Sequence, residues 1–189
     1  MRIIMPAPSG QDLPLLVTPE TLVADSSGAL KEGDPRLEAT CQAASRAVRR
    51  YCRWHVAPVI EETMILDGSG GRVLQLRSME VRDVSEVKVL GRVLDDSEFA
   101  WSADGLIEGE HPFPRRYRSI EVTLQHGFEE VPDLMAVASQ IARFALASPM
   151  GRTREQAGQI AVSWGTAEGM RWSESTLEMM NAYRIQPLP

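Results

Sequence analysis

Apolar residues recur at intervals of three and four from Leu37: Leu37, Cys41, Ala44, Val48, Tyr51 and Cys52 line one face of a helix. Arg36, Glu38, Gln42, Arg46, Arg49, Arg50 and Arg53 fill the other faces, and the late arginines suit the negative end of the helix dipole. Asp34 and Pro35 supply the start signal and Pro58 forbids continuation, so this helix is predicted to end near Arg53 or Trp54. A second run of the same period, Leu134, Val137, Ile141, Phe144 and Ala145, follows Val131-Pro132-Asp133 and must stop before Pro149.

Between these helices the pattern changes to short β-rich runs. VIEETMIL (59–66) and RVLQLR (72–77) flank the Gly-rich segment 67–71 and read as a hairpin. VSEVKVL (84–90), Gly91 and RVL (92–94) continue the run. SEFAWS (97–102) and LIEG (106–109) around Ala103-Asp104-Gly105 make another hairpin, and SIEVTLQH (119–126) alternates at Ile120, Val122 and Leu124. Residues 1–33 are broken by prolines and glycines and read as an arm, with a short helix of about 19–25 started by Thr18, Pro19 and Glu20. After Pro149, MGRTREQAG (150–158) reads as a polar loop, QIAVSW (159–164) as a strand, and Ser175 with Glu178 as a capping box that starts a last helix through about Tyr183.

The fold class expected is α+β: mainly a helical bundle, two long helices plus short terminal helices, with an inserted small antiparallel sheet of hairpins. The corresponding divisions are an N-terminal arm (1–33), a core of helix, β-rich insertion and helix (34–149), and a C-terminal arm with strand and helix (150–189).

Composition narrows the function. The chain has 189 residues, 43% hydrophobic and 24% charged, an ordinary balance for one folded domain. Twenty Lys and Arg against 26 Asp and Glu give a formal charge of −6, which excludes a generally basic nucleic-acid binder but not a local basic patch. Only Lys31 and Lys88 are lysines; the remaining basic residues are Arg, a bias that suits protein interfaces and equally reflects codon composition. No apolar stretch reaches the length of a membrane span, no signal-peptide pattern opens the chain, and two cysteines make no disulfide framework. A soluble, reduced, intracellular protein is expected.

Catalytic and metal chemistry find little footing. Cys52 and His55 form half of a zinc site, but Cys41, His111 and His126 offer no second short-spaced pair. Cys41 and Cys52 lie roughly 16 Å apart along one helix, so they cannot bond and serve as small core hydrophobes. There is no G-x-S-x-G elbow, and the turn at 67–71 lacks the Lys, the Ser/Thr and the following helix of a phosphate loop. The pairs Glu61–Glu62, Asp95–Asp96 and Glu129–Glu130 read as solvated charge. No catalytic residue, metal or cofactor is expected. The arginine clusters Arg46, Arg49, Arg50, Arg53 and Arg115, Arg116, Arg118, the latter with Phe113 and Tyr117, suit subunit contacts or a solvated face; Trp54, Trp101, Trp164 and Trp172 read as core or interface anchors, with Trp54, Trp164 and Trp172 the candidate contacts.

The order of elements, with Y-C-R-W-H-V-A-P-V (51–59) after the amphipathic helix, the L-D-G turn, H-G-F-E-E-V-P (126–132) leading into the second helix, and Q-I-A-V-S-W-G (159–165), resembles the head-to-tail adaptor (connector) proteins of long-tailed bacteriophages. The resemblance spans about residues 18–185 and implies a homo-oligomeric ring, usually a dodecamer, in the virion neck. Such a ring sits between the portal protein and a stopper, or head-closure, protein after assembly in the host cytoplasm, and double-stranded DNA passes through it without specific binding. By position, Ser175 to Pro189, with Tyr183 and Arg184, is implied as a portal contact. No enzymatic activity and no membrane partner are implied. An acidic lumen would let DNA slide where a basic one would hold it. The alternative expectation, from the residues alone, is a small intracellular nucleic-acid-binding or regulatory module using the Arg115–Arg118 patch.

Overall fold

The computed structural model describes residues 13–147, 154–157, 160–163 and 173–186. The chain divides into two compact units. The first comprises Met1–Pro14, Cys52–Val131 and Tyr183–Pro189; the second comprises Leu15–Tyr51 and Pro132–Ala182.

The first unit is antiparallel β-structure. Strands β1 (Ile60–Leu66), β3 (Val81–Val89), β4 (Arg92–Val93) and β7 (Ile120–His126) form a four-stranded sheet in the order β1-β7-β3-β4. Strands β2 (Val73–Gln75), β6 (Leu106–Gly109) and β5 (Phe99–Ser102) form a second sheet in that order. Strand β7 is central, paired from Ile120↔Leu66 to His126↔Ile60 on one side and from Ile120↔Val89 to His126↔Val81 on the other. Its side chains alternate with the pleat: Ile120, Val122, Leu124 and His126 are buried, and Glu121, Thr123 and Gln125 are not.

Both sheets feed one hydrophobic cluster. Met64, Leu66, Val84, Val87, Ile120, Val122 and Leu124 come from the first sheet, Leu74 and Ile107 from the second, and Phe113 from the loop before β7. Each such fully buried aliphatic or aromatic side chain contributes about 1.5–3 kcal/mol relative to exposure.

The second unit carries the helices: α1 (Pro19–Ala24), most of α2 (Leu37–Cys52), α3 (Pro132–Ala147) and α4 (Glu174–Asn181), with a two-stranded ribbon of β8 (Arg154–Ala157) and β9 (Ile160–Ser163). Leu22, Leu37, Cys41, Ala44 and Val48 are buried, as are Leu134, Val137, Ala138, Ile141, Ala142 and Leu146 of α3, so both amphipathic faces are used. Thr18 caps α1 through its hydroxyl oxygen, which accepts from the Thr21 N–H, and Pro19 opens the helix.

Four expectations are overturned. The chain is not a mainly helical bundle built on two long helices with a small inserted sheet: among the described residues, seven strands form two antiparallel sheets, and only three helices are longer than six residues. The runs at 59–66 and 72–77 do not form a hairpin either, because β1 pairs with β7 and β2 with β6. Local alternation identifies a strand but not its partner, and the glycine turn carries the chain from one sheet to the other. There Gly68 N–H donates to the Arg116 carbonyl at 2.9 Å, and Phe113 N–H donates to the Gly71 carbonyl at 2.8 Å. Finally, the last helix starts one turn-half earlier than its capping box implied, with Ser173 as the cap, and the polar stretch 154–157, read as loop, is a strand.

Candidate functional site

Where α2 ends, the backbone takes positive φ at Arg53 (71°) and at the β-branched Val56 (69°), conformations that cost energy and persist only under tertiary constraint. They turn Trp54 and His55 inward. The Trp54 indole N–H donates to the Tyr183 carbonyl at 2.7 Å. Its ring stacks on His126, with centroids 6.4 Å apart, and meets Phe128 at 5.8 Å. His55 lies edge-on to His126 at 4.4 Å and donates through Nε2 to the Pro58 carbonyl at 2.8 Å. His126 is 1% exposed, and its Nε2 lies 3.2 Å from Glu62 Oε2. That hydrogen bond holds the Glu62 carboxyl below its usual range, against the opposing effect of burial.

The opposite end of β7 carries the arginine loop. Arg115, Arg116, Tyr117 and Arg118 are all exposed, Tyr117 at 85%. The backbone beneath them is fixed. Arg118, at φ 51°, donates its N–H to Asp67 Oδ1 at 2.6 Å, and the Arg116 carbonyl accepts from both Gly68 N–H and the Ser119 hydroxyl. Leu90, 58% exposed on the β3–β4 turn, donates its N–H to the Ser119 carbonyl at 2.8 Å. Leu90, Arg116, Tyr117, Arg118 and Glu121 line an open depression of about 350 Å3. An anchored loop that presents an exposed tyrosine and three guanidinium groups has the composition of an interface centre.

In the second unit, Arg46 and Arg50 of α2 are exposed, and Arg46 Nη2 donates to Gln42 Oε1 at 3.5 Å. Arg49 is only 8% exposed, and its desolvation pulls the guanidinium down to about 10. A groove of about 840 Å3 is lined by Asp25, Leu30, Asp34, Arg36, Arg143 and Leu146, with Arg143 bridging Asp25 at 3.5 Å.

The structure thus separates the residues that the sequence nominated. Arg46, Arg50, Arg53, Arg115, Arg116 and Arg118 are exposed; Arg49 and Trp54 are buried; Tyr183 and Arg184 are half-buried; Trp164 and Trp172 lie outside the described residues. Cys41 and Cys52 are buried cysteines of α2. Sequence reasoning missed the Glu62–His126 pair, although His126 continues the inward series Ile120, Val122, Leu124 by period two. Among the described residues, no group of three or more His, Cys, Asp or Glu side chains is placed to hold a metal ion. No described helix is long and apolar enough to cross a membrane.

No protein-family model and no curated protein sequence matches the chain. Solved structures do. A chain from the neck of the native GTA (gene transfer agent) particle, computed with C12 symmetry, aligns over 100% of this chain and 97% of its own length, with a TM-score of 0.56 at 15% identity. A chain from the neck of the empty particle, computed with C6 symmetry, covers 99% and 96% with a TM-score of 0.54 at 11% identity. The fold is that of a chain from a phage-like particle neck. At this identity the likeness is one of fold.

Proposed function

We propose that this protein is a structural neck component of a phage-like particle, a head-to-tail adaptor that forms a ring between the portal and the stopper or tail-completion protein and gives DNA a passage in packaging and ejection. The observation that carries this reading is the end-to-end fold match to neck chains of a particle computed with C12 symmetry. The adaptor-like sequence segments 51–59 and 126–132 add to it: they form the strained turn and the Trp54–His126–Phe128 cluster described above. A formal charge of −6 suits a channel through which DNA slides. The C-terminal segment 175–189 is the proposed portal contact, and a dodecamer is the proposed stoichiometry.

Electron microscopy of the particle that encodes this chain tests the reading. Density for the chain in a ring at the head–tail interface is expected, and its absence from the neck, or its presence there without ring symmetry, overturns it. The exposed, carboxylate-poor Arg115–Arg118 loop favours one rival, a nucleic-acid-binding module. Tight, salt-sensitive DNA binding by the purified protein, together with failure to assemble on a portal, would decide for that rival.

A further inference from the structure

The two ends of β7 carry opposite charge. At the Ile120 end stand Arg115, Arg116 and Arg118, none of which has a carboxylate within ion-pair distance among the described residues, with the exposed Tyr117 and Leu90 beside them. The nearby carboxylates are Asp67, which accepts the Arg118 backbone N–H, and Glu121, while Lys88 is paired with Glu86. At the His126 end stand Glu61, Glu80, Asp83, Glu129 and Glu130 against Arg77, Arg82 and the exposed Arg53, with Arg184 half-buried beside Tyr183, so carboxylates still outnumber cations there. Arg82 bridges Glu80 and Glu129, which leaves Glu61 and Glu130 exposed with no described cation partner, and Glu129 itself is 77% exposed at its side chain. The seven residues of β7 hold these ends roughly 20 Å apart, too far for one to neutralise the other within a single copy.

We infer that the Arg115–Arg118 tip of one copy docks on the Glu129–Glu130 end of the next copy, so that the β-unit supplies a head-to-tail contact of the ring. The inference rests on the ring reading proposed above. A contact between two different patches of the same chain is heterologous: it builds a ring where the rotation between copies closes and an open filament where it does not, and never a two-fold dimer. Charge complementarity names the occupant, because the acidic surface that the tip needs is present on every copy. The composition of the tip favours protein over DNA as well: tyrosine beside the guanidinium groups is a pairing enriched at protein interfaces, whereas a phosphate-binding surface gains nothing from the exposed Leu90.

The test is assembly of the full chain, alone and on its portal, followed by mass photometry and negative-stain microscopy. Arg116→Glu with Arg118→Glu should raise the concentration for half-assembly by roughly tenfold or more, and Glu129→Lys with Glu130→Lys should do the same. The four changes combined should restore it. The backbone bonds that fix the tip do not involve the replaced side chains, and an unchanged thermal midpoint for the tip variant checks that it folds. If wild-type rings form and the single-end variants form them equally well, the contact is wrong and the ring reading stands. If wild-type protein forms no ring even on the portal, both fall. Rings unaffected by the tip substitutions, with loss instead of DNA retention or of stopper docking, would reassign the tip to that partner and overturn the inference.

Discussion

Gly127 follows His126 at φ 113°, and a Cβ there would meet His55 Nε2 and the Pro58 carbonyl oxygen at 2.5 and 2.6 Å. Both the conformation and the space demand glycine. Gly127→Ala is therefore expected to destabilise the first unit by about 2 kcal/mol or more, read as a lower urea midpoint. The neighbouring Glu62 makes a pH-dependent contribution. Its carboxyl is held low, chiefly by His126, so the stabilisation is complete above the ordinary value of 4.5 and disappears as pH falls through the lower folded-state value. Glu62→Gln should accordingly cost about 1 kcal/mol near pH 7, with the gap to wild type narrowing as pH falls below 4.5 in acid-unfolding curves. A gap that stays constant down to pH 3 would show that the charge of Glu62 contributes nothing. Inward placement of His126 was legible from alternation in SIEVTLQH; its partner was not, because Glu62 stands 64 positions earlier and meets it only through the β1–β7 register.

Among the elements, β7 is the one on which the first unit depends, being paired along its length on both sides. Leu124→Ala, at a fully buried position of this strand, should cost about 2–5 kcal/mol by calorimetry or denaturant titration. Ser173→Ala is a milder test at the other end of the chain. It removes the hydroxyl that accepts from the Thr176 N–H and caps α4, and should cost about 1 kcal/mol, visible as faster amide exchange through Glu174–Asn181. Helices and strands were largely readable because each carries its own period. The hairpin expected across residues 67–71 was not formed, since a glycine-rich turn permits a reversal without requiring one. What decides against it is the docking of Gly68 and Gly71 on the 113–116 loop, made by residues more than 40 positions away.

For the molecule as a whole, ring assembly is the consequential prediction: at low salt on a portal the chain should migrate as a closed oligomer, and salt that screens exposed charge over about 8–10 Å should shift it toward monomer. An assembly indifferent to salt would mean that apolar contacts alone close the ring. The acidic balance, the absence of catalytic spacing and the arginine clusters were fixed by composition and local pattern, which need no knowledge of folding. So were the amphipathic faces of α2 and α3, since a helix of 3.6 residues per turn maps sequence directly onto sides. Local pattern thus located most helices and strands, though not β8 at Arg154–Ala157, and marked the arginine clusters. Long-range pairing was needed to settle that seven strands make two sheets, that Trp54 is buried while the side chains of Arg115–Arg118 are exposed, and that opposite charges stand at opposite ends of one strand. Strand pairing and burial are settled by contacts between residues distant in the chain, whose energies no local window contains.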